Sequence, residues 1–97
     1  MGADFITEDI RLVILRLMDR AEGSLNNAVL HVGVRRKGHR IGLDGVTAQL
    51  NWLAAQGLVT VRPDDGLMVA ELTYRGQDVA RGLTQHPGVK EPIPGLE

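Results

Sequence analysis

Arg35, Arg36, Lys37, His39 and Arg40 place four fixed positive charges and one titratable imidazole within six positions. Cations at that density suit contact with phosphates, because each neutralised phosphate releases condensed counterions. Basic residues also gather at helix C-termini for the dipole alone. Four charges with no acid inside the stretch exceed what capping requires, so phosphate contact is the favoured reading. Arg62 is expected at the tip of a hairpin, where it could reach a backbone or minor groove, although Asp64 and Asp65 beside it oppose that role. Thr47, Asn51 and, at the margin, Gln49 form a second set on the outer face of a predicted helix. Asn and Gln can pair with adenine through two hydrogen bonds, and a Thr methyl can contact thymine. Any surface helix can show such residues, so their placement in the fold has to decide.

Enzyme chemistry finds little to work with. There is no cysteine, and Ser24 is the only serine, already used as a predicted helix cap. His31 and His39 lie eight apart across a turn with no carboxylate at ligand spacing, which argues against a metal. Gly42-Leu43-Asp44-Gly45 has the wrong length and context for a phosphate-cradling loop. The expectation is a protein that is not an enzyme and takes no cofactor and no metal.

The elements that must position these residues come from 97 residues, 43% hydrophobic and 24% charged, which suit one globular domain. The net charge of −1 conceals a pattern: residues 1–23 carry −2, residues 24–62 carry +4 and residues 63–97 carry −3. A basic middle lies between acidic ends. The longest near-apolar run, Leu12 to Met18, is interrupted by Arg16 and falls short of the roughly 20 residues a membrane span needs. Met1 to Asp4 lacks the basic start of a signal peptide. A cytoplasmic protein without membrane contact is expected.

A first helix is predicted over 8–21, capped by Thr7 and ended by Gly23, with Ile10, Val13, Ile14, Leu17 and Ala21 as its core stripe. Leu12 and Leu15 project to the far side, with Phe5 nearby. That patch reads either as a homodimer interface or as a surface covered by the C-terminal segment. Ser24 is expected to cap a second helix through Arg36 that buries Leu25, Ala28, Val29 and Val32. After a turn with two glycines, Asp44 caps a third helix through Gln56, with Val46, Leu50, Leu53 and Ala54 inside. Trp52 falls on its flank, facing the hairpin or the second helix. Leu58 to Arg62 and Leu67 to Leu72 read as strands joined by Pro63-Asp64-Asp65-Gly66. Thr73 caps a fourth helix over 74–83 with Val79, Ala80 and Leu83 inward and Tyr74 wedged against the hairpin. Residues 1–85 form the domain, and 86–97 an extended Pro/Gly-rich tail along the surface. With Phe5, Trp52 and Tyr74 as its aromatics, the chain lacks a platform for single strands.

Three helices followed by a two-stranded hairpin is the order of a winged helix-turn-helix, here α+β and mainly α. The run Leu50-Asn51-Trp52-Leu53-Ala54-Ala55-Gln56-Gly57-Leu58-Val59 resembles the end of the reading helix and the first wing strand of ArsR-like winged-helix regulators. With Gly38-His39-Arg40, Leu72-Thr73-Tyr74-Arg75-Gly76-Gln77-Asp78-Val79-Ala80-Arg81-Gly82 and Pro87-Gly88-Val89-Lys90-Glu91-Pro92, the pattern is similar to the small ArsR-like proteins of Mu-like prophages. The resemblance covers roughly residues 6–94. It implies a double-stranded-DNA-binding transcriptional regulator, a homodimer as is usual in that superfamily, reading the major groove with its third helix. Where such proteins carry Arg or Lys, near Gly45 and Thr47, this chain has neither. The alternative is a protein-interaction winged helix, an adaptor in phage replication or assembly, using Leu12, Leu15 and the tail around Ile93.

Overall fold

A computed structural model describes residues 4–93, so the start of the signal-peptide reading and the last four tail residues lie outside the described residues. The protein is α+β and mainly helical, with four helices and one three-stranded antiparallel sheet. No helix among the described residues is long and apolar enough to cross a membrane.

Helix α1 spans Phe5–Ala21 and starts a turn earlier than the sequence suggests. Thr7 does not cap it; its amide instead donates to Oδ1 of Asp4 at 2.8 Å, so the acidic cap also meets the positive helix end. At the other end Glu22, rather than Gly23, takes the left-handed conformation, at φ 56°. The buried face is Ile10, Arg11, Leu12, Ile14, Leu15 and Met18, while Val13 and Leu17 are half-buried and Ala21 is exposed. Leu12 and Leu15 are therefore not a free dimer surface: they are 3% and 0% exposed within one chain. They belong to one cluster with Val79 and Ala80 of the last helix and Val89 of a C-terminal strap, residues 86–93. A helix wrapped from several sides buries more than one stripe.

Leu25–Asn26 forms β1, a two-residue strand where a helix was expected, and Ser24 does not cap. Asn26 is the cap of α2, Asn27–Arg36, its Oδ1 accepting from the Val29 amide at 2.8 Å. Starting two residues later exchanges the inward face for Asn27, Leu30 and Val34, and leaves Val29 and Val32 51% and 53% exposed. Buried Asn27 is fully used. Its Nδ2 donates to Thr47 Oγ1 at 2.9 Å and its Oδ1 accepts from the Met68 amide at 3.1 Å, which ties α2 to the third helix and the sheet.

Helix α3 spans Leu43–Ala55 with Gly42, not Asp44, at its cap position. Val46, Leu50 and Leu53 are fully buried as their spacing requires, and Gly57 in a left-handed conformation closes the helix. Strands β2, Val59–Asp64, and β3, Leu67–Leu72, pair from Val59 opposite Leu72 to Asp64 opposite Leu67. The reversal is shorter than expected. Asp65 and Gly66 alone form it, both at positive φ (52° and 83°), as a two-residue hairpin turn demands. Pro63 thus lies within β2, which is tolerable because the sheet order β1-β3-β2 leaves β2 at an edge. Strand β1 pairs with β3 through Leu25–Ala70 and Asn26–Val69.

Helix α4 is Tyr74–Ala80, capped by Thr73, whose Oγ1 accepts from the Gly76 amide at 3.0 Å. It ends before Leu83, which is exposed, and Tyr74 is 90% exposed rather than wedged. Asp19 on α1 clamps α4 by accepting from Arg81 Nε at 3.0 Å and Gln77 Nε2 at 3.2 Å, and these bonds hold its carboxyl below the ordinary value. The described part of the tail turns rather than running fully extended. The Val89 amide donates to His86 O at 3.1 Å and the Lys90 amide to Glu8 O at 3.2 Å, with Val89 buried.

Candidate nucleic-acid interface

The turn from Lys37 to Gly42 joins α2 to α3 and carries the cations. Gly38 adopts φ 97°, a conformation natural to glycine, and lets the chain leave α2. His31 Nε2 lies 2.9 Å from Ile41 O and donates to it, pinning the far side of the turn to α2. Arg35, Arg36, Lys37 and Arg40 are all exposed, and none is ion-paired among the described residues. These four can meet an anion without first giving up a partner.

His39 differs from them. Its Nε2 lies 2.7 Å from Asp9 Oδ2, its side chain is half-buried, and Lys90 Nζ donates to the other oxygen of the same carboxylate at 3.3 Å. It is a strut between the turn and α1, and the expectation of a phosphate contact there is corrected. The carboxylate that engages it comes from thirty positions away, beyond any local reading of the sequence.

The three polar residues predicted to read bases separate in the same way. Thr47 Oγ1 accepts from Asn27 and donates to Leu43 O at 3.0 Å, so the hydroxyl is occupied. Gln49 is half-buried and its Oε1 accepts from Arg11 Nε at 2.8 Å. Asn51 stands exposed on α3, between exposed Ala48 and Ala55. Gly45 presents no side chain for a structural reason: a Cβ there would approach Ile41 Cγ1 to 2.6 Å. Ile41 fills the space that a basic residue would enter.

Arg62 is exposed but is not at the hairpin tip. It sits opposite Val69, two positions before Asp64, on the outer face of the sheet with Thr60 and Glu71.

On the other flank of α3, Trp52 meets neither the hairpin nor α2 as its principal partner. The Arg11 guanidinium lies 3.7 Å from its ring centroid, and the His86 ring stands edge-on at 6.0 Å. Arg11 Nη1 also donates to Gly88 O at 2.9 Å, and Gly88 must lack a side chain because a Cβ would come within 2.7 Å of the indole. Burial lowers the pKa of both Arg11 and His86, and Arg75 lowers that of His86 further. Arg11, Gln49, Trp52, His86 and Gly88 thus lock α3 to α1 and the strap. A charged residue in the middle of an apolar helix was the only sign of this in the sequence. Among the described residues no group of three or more His, Cys, Asp or Glu is placed to hold a metal ion.

Two relatives align over most of the chain. The uncharacterized protein gp26 of Escherichia phage Mu is 45% identical over 91 residues, 94% of this chain and 95% of that protein. An uncharacterized protein of Haemophilus influenzae is 42% identical over 73 residues, 74% of this chain and 72% of its own length. No family model matches the chain. No solved structure matches it either.

Proposed function

The chain belongs to the family of phage Mu gp26, and from that premise we propose that it is a winged helix-turn-helix protein that binds double-stranded DNA, a prophage-type, ArsR-like transcriptional regulator of the cytoplasm. The order α1-β1-α2-α3-β2-β3-α4 supports the fold reading, because β1 joins the hairpin in one sheet and so fixes the wing to the helices. The observation that carries the function is exposed Asn51 on α3 together with four exposed cations, none ion-paired among the described residues, at the end of α2 and in the turn before α3. Asn51 supplies a base-edge donor and acceptor, and Arg35, Arg36, Lys37 and Arg40 supply the phosphate contacts that set register.

A homodimer would place two α3 helices about one turn of DNA apart. With Leu12 and Leu15 in the core, such a dimer has to use other surfaces, of which Phe5, 79% exposed, is one. The test is fluorescence anisotropy of labelled random duplex at low and near-physiological salt. Four phosphate contacts give a log–log slope of roughly −4. A folded protein that fails to bind at low salt overturns the reading.

A further inference from the structure

Pleat alternation puts Thr60 and Arg62 of β2, with Val69 and Glu71 of β3, on the sheet face turned away from the core, while Val59 and Ala70 are buried on the other. Where this outer face meets α4 and the end of α1 it is concave. One cleft of about 470 Å³ is lined by Thr60, Glu71, Leu72, Thr73, Tyr74 and Gln77. A second, of about 370 Å³, shares Glu71, Leu72 and Gln77 with it and continues to Glu22 and Arg81, so the two form one groove.

The groove holds charges and a ring that the fold leaves unused. Tyr74, the first residue of α4, is 90% exposed and has no ring or cation partner among the described residues. Glu71 is exposed and neither hydrogen-bonded nor ion-paired among them. Glu22 acts on Arg81 through space alone, because the Arg81 guanidinium gives its hydrogen bonds to Asp19. With Arg81 and Asp19 matched to each other, Glu71 and Glu22 give the groove a net negative charge. Past Thr60, Arg62 ends the acidic stretch.

We propose that this groove docks an arginine-bearing segment of a partner protein. A guanidinium can lie flat on the Tyr74 ring while its N–H edge meets the Glu71 carboxylate, and a second can meet Glu22. The aliphatic stems cover Leu72. Lysine supplies the same charge without the planar fork, so arginine is the preferred cation. Nucleic acid is disfavoured, since carboxylates here would face phosphates, and the groove lies apart from Asn51 and the cations of the α2–α3 turn. The proposal does not depend on duplex binding.

The probe is a synthetic peptide of arginines spaced by serines around one leucine, capped at both ends, with Arg→Lys and Arg→Gln versions as controls. Titration into the full chain, followed by backbone amide chemical shifts and fluorescence anisotropy, is expected to move residues 22–24, 60 and 71–77. Affinity should fall from the Arg to the Lys to the Gln peptide, and with added salt. Glu71→Gln and Tyr74→Ala, both at exposed positions, should each weaken binding by roughly fivefold. Asp65→Asn, which removes a carboxylate at the hairpin turn outside the groove, should leave it unchanged. Three results overturn the proposal: no shifts at millimolar peptide in low salt, equal binding of the Gln peptide, or a loss for Asp65→Asn as large as that for Glu71→Gln, which would mean attraction to net charge alone. A concentration-dependent dimer abolished by Tyr74→Ala overturns it as well, because a second copy would then occupy the groove.

Discussion

The guanidinium of Arg11 lies 3.7 Å from the centre of the Trp52 ring while its Nε donates to Gln49, so one side chain on α1 fixes two on α3. Together with the Gly88 carbonyl it has stacking and hydrogen-bond partners on α3 and the strap. Arg11→Ala leaves these groups facing an emptied site and is expected to cost about 2–4 kcal/mol. Arg11→Lys keeps the charge but not the planar fork and should recover less than half of that loss. Urea unfolding of both variants checks the order, and the emission of Trp52, the only tryptophan, reports the local change.

The strap should loosen on mild acidification. His86 Nε2 donates to Gln56 Oε1 at 2.9 Å, while Nδ1 accepts from Arg75 at 3.3 Å, an arrangement that needs the neutral ring. Burial first and Arg75 second hold its folded pKa below 6.5, the value of the free side chain. The unfolded chain therefore takes up the proton before the folded one. Stability from this site is intact above pH 6.5 and declines as pH falls from there towards the folded pKa. His86→Gln should flatten that decline in urea midpoints measured against pH. Asp19 acts in another window: with its folded pKa lowered by Arg81, its contribution is present above pH 3.8 and lost below it.

Gly76 is a packing requirement. A Cβ at this position would lie inside the contact distance of the Leu58 carbonyl oxygen, which also accepts from the Thr73 amide at 3.1 Å. Backbone cannot yield as a side-chain tip can, so Gly76→Ala must push α4 off the start of β2. The expected cost is about 3 kcal/mol or more. In a domain of this size that lowers Tm by roughly 12–24 °C. Calorimetry decides, with Gly23→Ala, whose Cβ would meet only the Ala21 carbonyl oxygen at 4.0 Å, as the control expected to change little.

Legibility in the sequence followed the range of the interactions. Val46, Leu50 and Leu53 were readable as the inner face of α3 because helical period alone buries them, and Thr73 as a cap because its bond to Gly76 is three residues long. In α2 two apolar stripes compete, and β1 decides between them. Two residues are too short to show a period, and β1 exists only by pairing with Val69 and Ala70 of a distant strand. The site shows the same limit. Thr47 and Gln49 look as available as Asn51 in the sequence, but their partners, Asn27 and Arg11, lie 20 and 38 positions away.

That difference in engagement sets what each polar residue of α3 can do in the proposed complex. Asn51→Ala is expected to change base preference at one position of a selected duplex, by about 1–3 kcal/mol of discrimination, with affinity for random duplex unchanged. Arg36→Ala should weaken every duplex alike and make the salt slope shallower by about 0.9. Thr47→Val strands the Nδ2 of buried Asn27 and Gln49→Ala strands Arg11 Nε, so both should lower thermal stability while leaving base preference intact. Binding selections on the four variants, read beside their melting curves, separate reading from support. A uniform loss over all sequences for Asn51→Ala would remove Asn51 as a base reader, because a side chain that pairs with a base edge must distinguish one base from another.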